Sequence, residues 1–296
     1  YRAPVSGRMF AYVEMSAYES ALPDLDGYTS MEYFCPGYVR PVFRYPDNQF
    51  YLPASINAAY AEILRNFFAS APVQWLKQID RLEAENALEF SGKAGNQAIE
   101  YSRQYGISVA RSVWKWSETD INGHEGNLKN FDLKYSPPLC SGCWQPTDTH
   151  SLNALLPHWG AVRTFVVTPD EFPVKPPVPF EEEPGSAFYT EAMEVYSVSR
   201  PLSRENHWIA ELWSDDLPGL TVSSAGRWIS ITSQALSKAR SPFPDVIETY
   251  LKSALALCDA GVVVWNAKYQ YKVERPESYI RRVIQPDWKP LHNSPS

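Results

Sequence analysis

Long apolar runs and an excess of basic residues are both absent from the sequence. A transmembrane helix needs about 20 consecutive apolar residues, whereas the longest apolar run here, around Cys258 to Trp265, is interrupted by Asp259. The 296 residues include 27 Lys and Arg against 34 Asp and Glu, so the net charge is −7. Domains that bind nucleic acid normally present a basic face. We therefore expect neither a membrane span nor a nucleic-acid partner.

Cysteine is also scarce, with four residues in the chain. Cys140 and Cys143 have the spacing of half a zinc site or of a redox pair, but no second Cys-x-x-Cys follows them. Cys258 lies in the apolar run and is expected to be a small buried side chain. For Cys140 and Cys143 we favour a local structural role, as a disulfide or as loop thiols, over metal binding.

Alternation with a period of two residues, which is typical of half-buried strands, is rare, and the best strand candidate is the short segment from Ala161 to Pro169. Helical periodicity dominates instead. Ser203 is a suitable N-cap for one predicted helix, because its hydroxyl can accept from the first free N–H groups. Helices are predicted for residues 7–22, 55–69, 73–90, 97–117, 204–216 and 225–236, and from Pro244 to about Arg275.

The helical pattern fades between about residues 120 and 184, where proline becomes frequent. A loop of this length in a compact protein usually covers the surface or forms part of a site. The other segments predict an all-α helical bundle, and we assign residues 1–296 to a single helical domain with one long, Pro-rich irregular excursion. The middle of the last helix is apolar on nearly all faces, which predicts a central, buried position, with Asp259 as a hydrogen-bonded buried carboxylate.

Basic side chains follow the longest apolar run, in the segment KYQYKVERP that begins at Lys268. Pro276 disfavours helix at the residue before it, so the last helix should end at Arg275. Lys268 and Arg275 would then be seven residues apart, and seven steps of about 100° bring both side chains to one face. Trp265 lies one turn before Lys268, near the same face. A Lys point charge and an Arg fork beside an apolar wall suit a tetrahedral oxyanion.

The same residues admit a plainer interpretation. Lys268, Lys272 and Arg275 would form a solvated helix end, paired with Glu274 or Glu277, because cations are favoured at helix C-termini by the dipole. Spacing alone favours this alternative.

The segment WNAKYQYKVERP, from Trp265 to Pro276, resembles the first active-site signature of the vanadium-dependent haloperoxidases. These enzymes share a superfamily with the type 2 phosphatidic acid phosphatases (PAP2) and bacterial acid phosphatases. The signature is a Lys, six residues and then Arg-Pro, and Lys268 and Arg275 fit it without a gap. Further segments resemble successive blocks of the bacterial members, in order along most of the chain: GRMFAYVEMSAYESAL, HWGAVRTFVV, SRENHWIAELWSDD and CDAGVVVWNAKYQY.

The resemblance implies a fold of helical bundles and a vanadate, or a phosphate, held without a covalent bond. Lys268 and Arg275 would be ligands to the vanadate oxygens, Trp265 would line the pocket, and this chain would supply no direct ligand to the metal. In the family, vanadate and hydrogen peroxide oxidise a halide to a hypohalous-acid equivalent, while Lys and Arg neutralise the oxyanion. The resemblance therefore implies a haloperoxidase-like oxidoreductase.

Two further signatures of the family are missing from these residues: Pro-Ser-Gly-His and Ser-Arg-x-x-x-Gly-x-His, whose last His attaches to vanadium. We therefore expect the C-terminal half of the enzyme to come from downstream sequence or from a second polypeptide. A secreted or periplasmic location is expected from the habit of the family, and a homo-oligomer is a further expectation. Two alternatives stay open: an acid phosphatase of the same superfamily, and a non-catalytic helical binding protein that kept the scaffold.

Overall fold

Every named secondary-structure element of the described chain is a helix. The computed structural model describes residues 3–44, 46, 49–147, 153–215 and 222–292. Within these ranges extended backbone pairs only as isolated β-bridges, so the predicted all-α fold class is confirmed. None of the helices in these ranges is both long and apolar enough to span a bilayer. The α-helices are α1 (Ala3–Ala21), α2 (Leu52–Phe67), α3 (Val73–Leu88), α4 (Asn96–Glu118), α5 (Ile121–Leu128), α6 (Ala187–Val198), α7 (Arg204–Trp213), α8 (Ser224–Ala239), α9 (Phe243–Tyr271) and α10 (Pro276–Tyr279).

The predicted strand from Ala161 to Pro169 is wrong. After a 3-10 turn over Trp159–Ala161 this segment is irregular, and its backbone donors bond to a side chain instead of a neighbouring strand. The N–H groups of Phe165 and Val166 donate to the two carboxylate oxygens of Asp259, at 2.9 and 2.7 Å. This confirms Asp259 as a hydrogen-bonded buried carboxylate.

The predicted irregular excursion from about residue 120 to 184 needs a smaller correction. It begins with a helix, α5, and is irregular or turn-like afterwards in its described part. The helix was missed because Asn, Gly and His dominate its sequence, and these residues have weak helix propensity. Its start has a local cap, since the side chain of Asp120 accepts from the N–H of Gly123 at 3.3 Å, and a tertiary contact holds Asp120 in place, because Arg8 of α1 donates to it.

The chain divides into two compact units, which are described separately below. The first unit contains Tyr1–His124, Arg163–Val166 and Ser223–Gly261, and the second contains Glu125–Val162, Val167–Val222 and Val262–Ser296. The assignment of the whole chain to a single domain stays a prediction.

The centre of the first unit is α1, in which 17 of 19 residues are buried. Small residues let its neighbours approach closely: a Cβ on Gly7 would lie 3.0 Å from the carbonyl oxygen of Leu257 on α9. α9 was predicted to be the central helix, but it keeps an exposed stripe that includes Lys252, Ala256 and Ala260. Apolar composition alone did not distinguish the two helices, because alanine is found both in cores and on surfaces.

A buried ion pair connects α1 to the end of α4. Arg8 Nε donates to Asp120 at 3.0 Å, and its Nη2 donates to the backbone oxygen of Ser117 at 2.8 Å. The two charged side chains are only 1% and 4% exposed. Both charges are therefore compensated, as burial of ions in an apolar interior requires.

The second unit has a smaller core and longer loops. A cluster of Ala192, Tyr279, Ile280 and Trp288 is buried between α6, α10 and the π-helical turn Ile280–Ile284. The predicted N-cap of α7 is confirmed, since Ser203 Oγ accepts from the N–H of Asn206 at 3.0 Å. The irregular segments of this unit surround the C-terminal turns of α9, where the basic signature lies.

Candidate functional site

A cavity of about 560 Å³ lies beside the last turns of α9, within the second unit. Its lining combines basic and aromatic side chains, and no acidic residue is among the described residues that line it. The basic members are Lys175, Lys268, Lys272 and Arg275, and the aromatic members are Tyr135, Trp144, Trp265, Tyr269 and Tyr271. Four cations without a lining carboxylate make the cavity suited to an anion.

Lys268 extends from α9 across an aromatic surface. Its Nζ lies 4.9 Å from the ring centre of Trp265 and 5.7 Å from that of Tyr269. Both rings are themselves fixed, because Trp265 Nε1 and the Tyr269 hydroxyl donate to the backbone oxygen of Leu155 at 3.3 and 2.6 Å. The helix and these two anchored rings therefore limit where the ammonium group can lie.

Arg275 does not lie on α9, contrary to the prediction from spacing. The helix ends at Tyr271, and Lys272 has a left-handed φ of 51°, which ends a helix. Arg275 is extended, with φ −70° and ψ 145°, directly before Pro276 opens α10. It nevertheless lines the same cavity as Lys268. The two residues therefore line one cavity, although the shared helix face from which their proximity was predicted does not exist.

A disulfide joins Cys140 to Cys143, so the expected local structural role of the Cys-x-x-Cys segment is confirmed. This disulfide loop (residues 140–143) pairs with the chain that leads to Arg275. Trp144 N–H donates to the Lys272 oxygen at 2.7 Å, and Glu274 N–H donates to the Gly142 oxygen at 2.8 Å. Cys143 and Val273 form an antiparallel bridge between these bonds.

The carboxylates nearest to the signature have arginine partners that do not line the cavity. Glu274 accepts from Arg282 at 2.7 Å, and Glu277 accepts from Arg281 at 3.4 Å. These pairs are formed by the two glutamates that the plainer interpretation assigned to the basic helix end. Their engagement with Arg281 and Arg282 weakens that interpretation.

Comparisons with known proteins identify solved structures that have a similar fold. No family model matches the sequence, and no match is found among curated proteins. Among solved structures, the crystal structure of the first bacterial vanadium-dependent iodoperoxidase superposes with a TM-score of 0.86 and 26% sequence identity. The alignment covers 100% of this chain and 71% of that one.

The chain has the fold of the vanadium-dependent haloperoxidases. A holo-type bacterial vanadium-dependent chloroperoxidase supports the same fold with a TM-score of 0.64 at 17% identity, over 95% of this chain and 64% of that one. The superfamily suggested by the Lys-x6-Arg-Pro segment is thereby confirmed at the level of structure.

The cavity has the lining that a tetrahedral oxyanion requires. A tetrahedral oxyanion needs cationic donors and no competing carboxylate, and Lys268 and Arg275 supply such donors in a lining without acidic side chains. Among the described residues, no group of three or more His, Cys, Asp or Glu is placed to hold a metal ion.

Burial changes the acid-base properties of two groups in the cavity. It lowers the pKa of the Arg275 guanidinium, an effect that Tyr269 partly opposes, but arginine still keeps its charge at neutral pH. Burial also raises the pKa of the Tyr269 phenol; nearby Tyr135 raises it further, and Arg275 opposes both effects. Near neutral pH the site thus presents a permanent cation beside a neutral phenol.

Several lining residues were not found from the sequence. Tyr135, Trp144, Lys175 and the prolines Pro137 and Pro177 belong to the irregular stretch, where no periodicity predicts which residues meet. The aromatic residues and prolines before and after the Cys-x-x-Cys segment were the available signal, because long loops often form sites.

Proposed function

We propose that this chain provides the cationic part of a vanadate site in a haloperoxidase-like enzyme. The enzyme would use vanadate and hydrogen peroxide to oxidise a halide to a hypohalous-acid equivalent. The observation that carries the proposal is the presence of Lys268 and Arg275 in one cavity with no acidic side chain in its described lining. The haloperoxidase fold, matched over the whole of this chain, supports it.

The chain's own residues would have distinct tasks. Vanadate, when bound, would supply the Lewis-acid centre at which peroxide is activated. Lys268 would neutralise the oxyanion as a point charge, and Arg275 would orient it through its planar fork. The aromatic residues Trp265 and Tyr269 would exclude water from one side, which strengthens the attraction between these cations and the anion.

Phosphate has the same tetrahedral shape and would bind to the same cations, so the test must separate binding from chemistry. An acid phosphatase would hydrolyse phosphate monoesters. A non-catalytic protein would bind the anion without any reaction. The iodoperoxidase neighbour makes iodide the first halide to test.

The disulfide supports the proposed secreted or periplasmic location. Disulfides form and persist in oxidising compartments and are rare in reducing ones. The observation concerns the Cys140–Cys143 pair and is independent of the vanadate proposal.

The Lys268→Ala substitution tests the site. We expect vanadate affinity to fall by about ten- to a hundredfold, since a hydrogen bond to a charged group contributes about 1.5–3 kcal/mol. The purified protein is titrated with vanadate, and binding is followed by vanadium NMR. Iodide oxidation by hydrogen peroxide is assayed with and without added vanadate.

Lys252→Ala is the matched control, because Lys252 is an exposed lysine of the same helix, paired with Glu248 at 2.9 Å. It should leave vanadate affinity unchanged. Equal affinities for wild type and Lys268→Ala would contradict the proposed site. Vanadate binding together with phosphate-ester hydrolysis, but without iodide oxidation, would replace the haloperoxidase assignment by the phosphatase one.

A further inference from the structure

We infer that the disulfide loop is a positioning element for Arg275, which sets how the guanidinium faces an oxyanion in the cavity. This inference deepens the proposed function and rests on it. Three observations carry it: the early end of α9, the backbone pairing of the disulfide loop, and the rigidity of that loop.

Because α9 ends between the two cations, only one of them is held by the helix. Lys268 lies within the helix, and its oxygen still accepts from the N–H of Lys272 at 3.0 Å. Beyond Tyr271 the helical hydrogen bonds stop, and Arg275 is extended. The rigidity of α9 therefore holds Lys268 and does not extend to Arg275.

The disulfide loop provides the support that α9 does not. The chain from Lys272 to Glu274 makes backbone hydrogen bonds at both ends with residues 142 and 144, at 2.8 and 2.7 Å. The bond to Gly142 is made by Glu274, the residue immediately before Arg275. A shift of the disulfide loop would therefore move the backbone from which the guanidinium extends.

The disulfide loop is built to stay in one shape. The Cys140–Cys143 bond closes it, and the N–H of Cys143 donates to the oxygen of Cys140 at 3.2 Å. Gly142 adopts a φ of 73°, and a Cβ there would lie 2.2 Å from Phe180 Cγ. Only glycine fits this position without displacing the ring.

The chemistry of the two cations explains why one needs such support. A Lys ammonium is a compact point charge that tolerates changes in approach, whereas the Arg guanidinium must align a planar fork with two oxygens. Loss of the disulfide should therefore weaken the contribution of Arg275 to anion binding and spare that of Lys268.

The test is a double-mutant cycle with inorganic phosphate as the probe, measured by calorimetry. Phosphate is used because it has the tetrahedral shape of vanadate and does not react with the free cysteines of the protein. The variant Cys140→Ser/Cys143→Ser should bind phosphate about tenfold more weakly than wild type, the lower end of the effect of residues that orient a ligand-binding group. Gly142→Ala, which keeps both cysteines, should weaken binding in the same direction.

Removing the disulfide from the Arg275→Ala and Lys268→Ala variants distinguishes a positioning role for Arg275 from a general loss of order in the cavity. With Arg275→Ala already present, the double Cys→Ser change should cost less than a further twofold in affinity. With Lys268→Ala present it should still cost about tenfold, because additivity is expected of groups that act independently.

Three results would overturn the inference. Unchanged affinity in the double Cys→Ser variant would remove the positioning role while leaving the proposed site intact, as would an equal loss in the Arg275→Ala and Lys268→Ala backgrounds. Failure of the folded wild type to bind either phosphate or vanadate would overturn the proposed function and this inference together. Circular dichroism of each variant verifies that the helices are retained.

Discussion

The two compact units of this chain differ in how they are packed and in whether they contain the cation-lined cavity. The first unit buries a helix, α1, on almost every side and pairs the buried Arg8 with Asp120. The second unit has a small core and long loops, and it contains the cation-lined cavity. The closely packed helix and the cation-lined cavity are therefore formed by different parts of the sequence.

The difference follows from what each task requires. Close packing of helices favours small residues at contacts, and a Cβ on Gly106 of α4 would lie only 2.0 Å from the oxygen of Ser55 on α2. An anion site requires converging polar groups, which irregular segments supply more readily than regular helices. Substitutions in the first unit should therefore change stability, and substitutions in the cavity should change binding.

The largest expected effect would come from breaking the buried ion pair of the first unit. Arg8→Met would leave Asp120 as a buried charge without its Arg8 partner and should lower the free energy of unfolding by about 3–5 kcal/mol. Guanidinium unfolding measures the change. The folded variant should bind phosphate with the affinity of wild type. That result would show that Arg8 contributes to stability and not to anion binding.

A second variant isolates the cause of that loss. Adding Asp120→Asn to Arg8→Met removes the uncompensated charge and should recover part of the lost stability. A cost below about 1 kcal/mol for Arg8→Met, the size expected of an exposed pair, would contradict the buried pair as described.

The pH dependence of stability should also originate in the first unit. Burial raises the pKa of Glu14 from 4.5 to about 7, although a hydrogen bond from Tyr60 opposes the rise. The unfolded chain therefore releases this proton at lower pH than the folded protein does. Stability should fall as the pH rises from about 4.5 to about 7, by up to about 3 kcal/mol from this group.

Glu14→Gln tests this dependence, because glutamine keeps a polar group beside Tyr60 and cannot ionise. Urea midpoints at pH 5 and pH 8 should differ less in the variant than in wild type. A remaining decrease is expected from Glu19, whose pKa burial also raises to about 7. The same pH dependence in variant and wild type would show that Glu14 is not the group involved.

The smallest expected effect concerns a helix cap of the second unit. Ser203→Ala removes the acceptor for the Asn206 N–H and should cost about 1 kcal/mol. Because α7 has no buried residue, we expect the loss to appear as local opening, seen as faster hydrogen exchange of its amides.

Ser186→Ala provides the comparison, since Ser186 caps α6 in the same way and accepts from Tyr189 N–H at 3.2 Å. α6 packs Ala192 into a buried cluster, so its amides should change less. If the two substitutions accelerate hydrogen exchange equally, packing does not stabilise α6 more than α7.

The helices could be predicted because periodicity is a local property. The predictions for residues 7–22, 55–69, 73–90 and 97–117 correspond to α1 to α4, with ends shifted by a few residues. The strand at 161–169 and the missed α5 show the limit of this approach. The first segment bonds to Asp259, 94 positions away, and the residue that caps α5, Asp120, is paired with Arg8, 112 positions away. Periodicity reports neither of these long-range contacts.

The sequence by itself determined the helical class, the signature residues Lys268 and Arg275, and the cap at Ser203, because these depend on residue type and short spacing. Only the tertiary structure decided which helix is central, where α9 ends, and what holds Arg275. The reason is that burial and long-range backbone pairing depend on contacts between residues far apart in the chain. Cys143 and Val273, 130 positions apart, give no sign of their contact in the sequence.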